Sequence, residues 1–219
     1  MDLLATWASY WTEGGISRGF VNTMQAFVVA SALTIVWAML VAVIRLSPFA
    51  PARFVAIAYI EIFRGTPLLV QLLTFFAAVP ILTGLQLPPF ETAVLGLTLN
   101  FGGYLAESYR SGLQAVPRGL REAALALGMS RARVFFRVVL PLAVRIILPA
   151  VGNTLTSLLL TTSFVFVVGL EDMAAKATQI MNRTNDYSVF LFITLIYVAL
   201  GLVLLAGNNW LERRYHPLT

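Results

Sequence analysis

The sequence contains no cysteine, and only 11% of its 219 residues are charged. The absence of cysteine excludes disulfides, thiolate metal sites and cysteine nucleophiles. The single histidine, His216, lies in the C-terminal tail, where we expect neither a catalytic nor a metal-binding role. Soluble domains average about 25% charged residues. The low charge, together with 59% hydrophobic residues, therefore indicates an integral membrane protein.

Several functional motifs are also missing. The N-terminus has neither a basic segment nor an early hydrophobic core, so we expect no cleaved signal peptide. No G-x-x-x-x-G-K-[ST] nucleotide-binding motif occurs, and no loop is long enough to hold a nucleotide-binding domain. An intramembrane enzyme would need a nucleophile–base pair or metal ligands, and the spans hold no cysteine or histidine. Nucleic acid is not expected as a partner, because the net charge of +5 is not clustered on a soluble face.

Five apolar stretches are long enough to cross a bilayer, which takes about 20 helical residues. They cover residues 20–44, 54–80, 92–113, 146–170 and 189–210. The first 19 residues are too polar to cross, and their leucine and aromatic residues recur at steps of three and four. That spacing is typical of a helix lying in the membrane interface. The sequence thus predicts an all-α membrane protein with an extracytoplasmic interfacial segment at 1–19 and one transmembrane domain at 20–215.

The basic residues are unequally divided between the two sides of the predicted membrane domain. Eleven of the fifteen fall on one side: Arg45, Arg53, Arg110, Arg118, Arg121, Arg131, Arg133, Arg137, Arg145, Arg213 and Arg214. The other side holds three, Arg18, Lys176 and Arg183, and Arg64 lies within a span. Bases in short loops concentrate on the cytoplasmic side. We therefore expect the N-terminus outside, the C-terminus in the cytoplasm and the loop at 117–141 in the cytoplasm.

This cytoplasmic loop is the most charged part of the chain, and its sequence predicts a defined shape. Pro117 is expected where a short helix starts, and Arg118 to Leu127 are expected to form that helix. Gly128 is expected to end that helix with a positive φ, and Ser130 to cap a second helix. Two later prolines are expected to interrupt and kink the second helix: Pro141 and Pro149. The loop is thus predicted to hold a short helix against the membrane face, where a partner protein could dock.

The spacing within the loop resembles a known motif. Glu122-Ala123-Ala124, three residues, Gly128, nine residues, Val138, one residue and then Leu140-Pro141 resembles the EAA loop of ABC-importer permeases, with valine in place of the family's isoleucine. The segment from Tyr59 to Leu72 is similar to the FRGTPLLVQL segment of the permeases for polar amino acids. Similar stretches in the third and fourth spans extend the resemblance over about residues 18–215.

The resemblance implies a type I ABC-importer permease (MetI-like) fold and a membrane-spanning permease subunit of an ATP-driven importer for polar amino acids. Such a protein lies in the bacterial cytoplasmic (inner) membrane, is not itself an enzyme and holds no cofactor. Its implied partners are two copies of an ABC ATPase that binds ATP and magnesium, a second permease (identical or a sister chain) and an extracytoplasmic substrate-binding protein. The implied ATPase-coupling residues are Arg121, Glu122, Ala123, Ala124, Gly128, Leu140 and Pro141.

Polar residues within the spans are candidates for the solute pathway: Asn100, Glu107, Asn153, Ser157, Thr161, Thr162 and Ser163. Asn100 and Glu107 are two helical turns apart and share one face. Glu107 either receives a cationic group of the solute or pairs with Arg110 three residues later, and the sequence leaves both open. Asn153, Ser157 and Thr161 form a polar stripe, which either lines the pathway or bonds helix to helix.

The second span carries its own polar group. Glu61 and Arg64 are three residues apart on one helix face and can pair, which favours a structural role at a subunit interface over solute contact. Gly65 and Pro67 are expected to loosen the helix beside them. No set of metal ligands is predicted here or elsewhere in the spans.

Two alternatives remain from the sequence. Many related permeases carry a lysine and an acid where this chain has Leu160 and Thr161. The solute could therefore be an opine, cystine or another amino-acid derivative. An independent channel or secondary transporter is the other alternative, but it would not need the charged loop, and five spans are few for an inverted repeat.

Overall fold

The computed structural model describes residues 3–215, which are helical apart from short connections, with no β-strand among them. Eleven α-helices follow one another: α1 Leu3–Thr12, α2 Ile16–Arg45, α3 Ala50–Gly65, α4 Leu68–Leu73, α5 Val79–Thr83, α6 Pro89–Ala115, α7 Arg118–Ala126, α8 Arg131–Val134, α9 Leu140–Thr161, α10 Met173–Thr184 and α11 Ser188–Tyr215. A π-helical segment, Thr74–Ala78, joins α4 to α5, and another, Phe135–Val139, joins α8 to α9. A 3₁₀-helix, Thr162–Val168, extends α9.

Three helical segments in residues 3–215 are long and apolar enough to cross a membrane: Ile16–Arg45, Arg131–Val168 and Ser188–Arg214. A fourth is possible if α3 and the segment Leu68–Thr83, which meet at 107°, count as one broken span. These segments match the predicted first, second, fourth and fifth spans, the fourth as far as Val168. The helix predicted as the third span, α6, forms but is not among these candidates, so the number of five crossings stays a prediction.

Helix α6 lies at the centre of the molecule, which accounts for its polar composition. Fourteen of its 27 residues are buried, and it packs against α2, α3 and α9. Close packing depends on small residues: a Cβ at Gly112 would collide with Ile147 of α9. Because protein rather than lipid surrounds α6, its polar residues need not meet hydrocarbon. By contrast, α2, α9 and α11 expose many large apolar side chains on their outer faces, as lipid contact requires.

The predicted second span is not one straight helix. Helix α3 ends at Gly65, and Thr66 is extended (φ −120°, ψ 144°), because a residue that precedes proline is disfavoured in the α region. Pro67 then caps α4. The loosening expected at Gly65 and Pro67 is therefore a complete break, after which the chain turns through 107°.

Two prolines are accommodated by π-helical segments rather than by breaks. Pro80 and Pro141 each follow such a segment within two residues. Proline lacks the amide of a regular turn and its ring crowds the carbonyl four residues earlier, and a wider turn relieves both problems. Of the two prolines expected to interrupt and kink the second loop helix, Pro141 follows a π-helical interruption of the α-helix, whereas Pro149 lies inside α9 without a break. The stretch Arg131–Val168 stays helical through both, and a kink at either proline stays a prediction.

The N-terminal segment divides into two parts. Helix α1 packs beside α10 and α11 through a cluster that includes Tyr10, whereas residues 16–19 already belong to α2. The Tyr10 hydroxyl donates a 2.6 Å hydrogen bond to Asp186 Oδ2, and this bond holds the pKa of the Asp186 carboxyl below its usual range. The segment is thus fixed to the loop before α11 by contacts that its own spacing could not predict.

Candidate functional site

A cavity of about 410 Å³ lies where the broken second span meets α6 and α9. It is lined by Thr66, Pro67, Leu68, Asn100, Phe101, Tyr104, Asn153, Thr154, Ser157 and Thr161. The fold therefore brings together four of the predicted pathway residues from two distant parts of the sequence. Every polar group in this lining is uncharged.

Side-chain amides stabilise the break beside the cavity. Gln71, buried in α4, donates hydrogen bonds to the carbonyls of Phe63 (3.0 Å) and Thr66 (3.1 Å) and to the Thr66 hydroxyl (2.7 Å). Asn100 donates to the same Phe63 carbonyl (3.0 Å) and to Gln71 Oε1 (3.1 Å). These bonds satisfy carbonyls that lose their helical partners where α3 ends. Gln71 was missed in the sequence, although a lone glutamine in an apolar run next to a proline was a signal for it.

The predicted polar stripe on α9 faces the cavity. Asn153, Ser157 and Thr161 all line it, and the Thr161 hydroxyl donates to the Ser157 carbonyl at 2.6 Å. The side chains of Asn153 and Ser157 make no hydrogen bond to any residue in the range 3–215 that the structure describes. Their amide and hydroxyl groups are therefore free to contact a solute.

The next residues along the chain lie elsewhere. Thr162 is fully buried, and its hydroxyl donates to the Leu159 carbonyl at 2.6 Å. Ser163 donates to the Leu160 carbonyl at 2.9 Å, and neither residue lines the cavity. Leu160, one of the two residues that replace the charges common in related permeases, is 46% exposed outside the cavity. Only Thr161 of that pair faces the site.

Glu107 is separate from the cavity that Asn100 lines. Its carboxylate accepts two 3.0 Å hydrogen bonds from Arg110 Nε and a third from Arg110 Nη2. Arg45 Nε at the end of α2 lies 3.4 Å from Glu107 Oε2. Of the two alternatives left open by the sequence, the structure therefore shows the pairing with Arg110, and it adds a contact with α2.

Glu61 and Arg64 do not form the expected pair. Both side chains are exposed on α3, and no ion pair joins them in the described part of the chain. The Arg64 guanidinium instead lies over the ring of Tyr104, 5.4 Å from its centroid. A cation over an aromatic face is attracted by the ring quadrupole, and this contact competes with the pairing along the helix.

The charged loop folds largely as expected. Gly128 follows the end of α7 with φ +80°, and the Ser130 hydroxyl accepts a hydrogen bond from the Arg133 amide at the start of α8. Both local predictions are confirmed. The helix expected over Arg118–Leu127 forms as α7, and Pro117 lies at its start as the N-cap residue.

Helix α7 presents one face to the protein and another to its surroundings. Ala124 is buried against Val134 and Val139, and Arg121 donates to the Leu113 carbonyl. Leu120 and Glu122 of α7 and its C-cap residue Leu127 are exposed, Leu127 by 84%. The predicted coupling residues therefore do not form one surface: Glu122 and Ala123 point outward and Ala124 and Arg121 inward, and Leu140 and Pro141 belong to the next long helix.

No cluster of three or more histidine, aspartate or glutamate side chains that could hold a metal occurs within residues 3–215. The arrangement consists of a neutral polar cavity between helices and an exposed short helix on a charged loop. Its chemistry is suited to binding a solute and a protein partner.

Comparison with known proteins gives the family context. The family described as "Binding-protein-dependent transport system inner membrane component" matches residues 34–217. The probable glutamine ABC transporter permease protein GlnM of Bacillus subtilis is 33% identical over 197 residues, 90% of this chain and 91% of the relative. The arginine transport system permease protein ArtQ of the same organism is 34% identical over 200 residues, 91% of each chain. A solved amino acid ABC transporter has a TM-score of 0.90 at 33% identity, covering 98% of this chain and 99% of that one.

Proposed function

This chain belongs to the family of binding-protein-dependent transport system inner membrane components, and we propose that it is the permease subunit of an ATP-driven importer for polar amino acids. The observation that carries this proposal is the cavity of neutral polar groups between the broken second span, α6 and α9. The names of the similar proteins, which refer to glutamine, arginine and amino acid transport, support the choice of solute.

The permease crosses a bacterial inner membrane five times, with its N-terminus outside and its C-terminus in the cytoplasm. Helix α6 provides the third crossing along the chain, in addition to the four segments above: its 27 residues reach about 40 Å, which exceeds the roughly 30 Å hydrocarbon core. Its polar residues are tolerated because neighbouring helices surround it. The excess of arginines in the loops after the first and third spans supports this orientation.

The outer face of α7 docks on a separate ATPase. Glu122 and Ala123 are exposed on that face, Leu120 and Leu127 are exposed elsewhere on α7 and at its end, and exposed apolar side chains of this kind support a protein interface. Two ATPase copies bind ATP and magnesium, whereas this chain holds no cofactor and catalyses no reaction. Closure of the ATPase pair would move α7, and α7 would pull on the 38-residue helix that contains α9.

The solute passes along the cavity wall formed by Asn153, Ser157 and Thr161, with Asn100 serving to hold the break. A second permease, identical or a sister chain, completes the pathway on the other side. An extracytoplasmic binding protein delivers the solute and contributes to the choice of amino acid. Glu61 and the break at Gly65 and Pro67 lie toward that second subunit.

Copurification and ATP hydrolysis test this function. The permease should copurify with an ABC ATPase, and the hydrolysis rate in proteoliposomes should rise when a loaded binding protein is added. Uptake of labelled amino acid should require ATP. Solute uptake that persists without any ATPase would support an independent channel or secondary transporter and refute the proposal.

A further inference from the structure

A positive charge lies beside the cavity. Arg64 is in the last turn of α3, and its guanidinium lies 5.4 Å from the centroid of the Tyr104 ring. The Tyr104 hydroxyl in turn donates a 3.2 Å hydrogen bond to the Arg64 carbonyl. Tyr104 itself lines the cavity. These two contacts hold the exposed Arg64 side chain against Tyr104, next to the cavity but outside its lining.

The acidic side chains near Arg64 do not neutralise it. Glu61, one helical turn earlier, makes no ion pair within the region that the structure describes. Glu107 is within electrostatic reach of Arg64, but its carboxylate is already bound by Arg110 and approached by Arg45. Arg64 therefore has no carboxylate partner of its own among the described residues. An ionisable residue at membrane depth is costly, and it typically marks a path for a solute or ion.

The cavity itself supplies hydrogen bonds but no negative charge. Its lining contains only amides, hydroxyls and apolar groups. Asn153 and Ser157 have side-chain atoms without partners in the described chain, and their oxygens can accept from an ammonium group. A guanidinium or ammonium on the side chain of a solute would find no carboxylate to pair with in this lining, which penalises its transfer from water.

We propose that Arg64 binds the α-carboxylate of the transported amino acid and that the cavity selects solutes whose side chains are uncharged or acidic over those with cationic side chains. This inference rests on the proposed function and assigns the chemistry of the solute within it. Arginine forms strong, charge-assisted hydrogen bonds with carboxylates in a planar, two-point geometry. Tyr104 acts as a positioning residue, because its ring contacts the Arg64 guanidinium and its hydroxyl bonds the Arg64 carbonyl.

The test measures binding of defined probes to the permease–ATPase complex in lipid nanodiscs, without a binding protein, by isothermal titration calorimetry. The probes are glutamine, glutamate, arginine and the α-amide of glutamine, which lacks the α-carboxylate. We expect glutamine to bind at least tenfold more tightly than both its α-amide and arginine. Arg64→Met should weaken glutamine binding by at least tenfold and remove the difference between glutamine and its amide. Arg53→Met, a control at the other end of α3, should change neither.

The comparison of glutamine with its amide uses the unaltered protein, so it remains decisive if Arg64→Met fails to assemble. Any one of four results would overturn the inference: equal binding of glutamine and its amide, preference for arginine, absence of binding by all four probes, or equal effects of the Arg64 and Arg53 substitutions. ATP-dependent uptake with a binding protein tests the proposed function separately. Uptake that is intact while binding ignores the α-carboxylate refutes the assignment of Arg64 alone.

Discussion

Asp172→Asn is expected to stabilise this protein at pH 8 and to have little effect near pH 4. Asp172 is fully buried in the loop between the last two predicted spans, at the N-terminus of α10. Its Oδ1 accepts a 2.8 Å hydrogen bond from the Ala175 amide, whereas its Oδ2 has no partner within residues 3–215. Burial raises the pKa of this carboxyl from 3.8 to about 7, and the hydrogen bonds from backbone amides only partly oppose that effect.

The sign of the effect follows from the proton that the folded state retains. Between pH values of about 4 and 7 the folded protein holds a proton on Asp172 that the unfolded chain has lost, so the free energy of unfolding falls as the pH rises through this interval. At about 1.36 kcal/mol per pH unit, the interval from 3.8 to about 7 corresponds to a loss of roughly 4 kcal/mol at pH 8. Asparagine is uncharged and an equally good N-cap, so it removes this loss and keeps the cap.

Thermal unfolding in detergent, followed by tryptophan fluorescence from pH 4.5 to 8.5, measures the effect. At roughly 2–4 °C per kcal/mol for a chain of this length, the Tm of Asp172→Asn should exceed that of the parent by on the order of 10 °C at pH 8. Glu171→Gln is the control: Glu171 is exposed and pairs with Lys176, which lowers its pKa, so its replacement should not stabilise at any pH. Parallel Tm curves for the parent and Asp172→Asn would show that Asp172 is ionised when folded and would refute the reasoning.

Three further predictions concern α7, the break between α3 and α4, and the ion pair of Glu107 with Arg110. Glu122→Lys and Gly128→Asp should abolish uptake and copurification of the ATPase while the protein still inserts. Glu122→Lys reverses an exposed charge, and Gly128→Asp strains the backbone at φ +80°. Normal transport by both variants would contradict the docking assignment. Gln71→Leu and Gln71→Glu should each lower the free energy of unfolding by about 1–3 kcal/mol, and with it the Tm and the uptake rate. Neither substitution keeps the Nε2 donor that binds the carbonyls at the break. An unchanged Tm in both variants would contradict this role. Glu107→Gln should lower the Tm and leave solute affinity in the nanodisc assay unchanged, and the reverse pattern would show a solute contact.

Local features of the fold could be predicted from the sequence because they depend on neighbours along the chain. The apolar runs are mostly helical, apart from the break at Thr66 and Pro67 in the second, since apolar segments in a membrane satisfy their backbone by helix formation. The positive φ at Gly128 and the cap at Ser130 follow from the conformational freedom of glycine and the hydrogen-bonding reach of serine. These forces act over one helical turn.

The cavity could be predicted only in part. The four-residue spacing of Asn153, Ser157 and Thr161 places them on one face of α9, but the face alone does not say what lies opposite. Thr162 and Ser163 were predicted to line the pathway, yet their hydroxyls bond to carbonyls of their own helix and lie outside the cavity lining. Which polar face meets a cavity depends on how α9 rotates against α6, and hydrophobic packing between the helices sets that rotation.

By itself, the sequence determined that this chain is a helical membrane protein, where its helices lie and how the charged loop turns, because hydrophobic length, glycine and capping residues act locally. Only the tertiary structure decided the partners of the polar side chains. It directed Arg64 to Tyr104 rather than to Glu61 and joined Glu107 to Arg45. It also brought Gln71 and Asn100 together at one broken turn. The reason is physical: away from bulk water each polar group must find a partner within a few ångströms, and the packing of helices distant in sequence determines which partner that is.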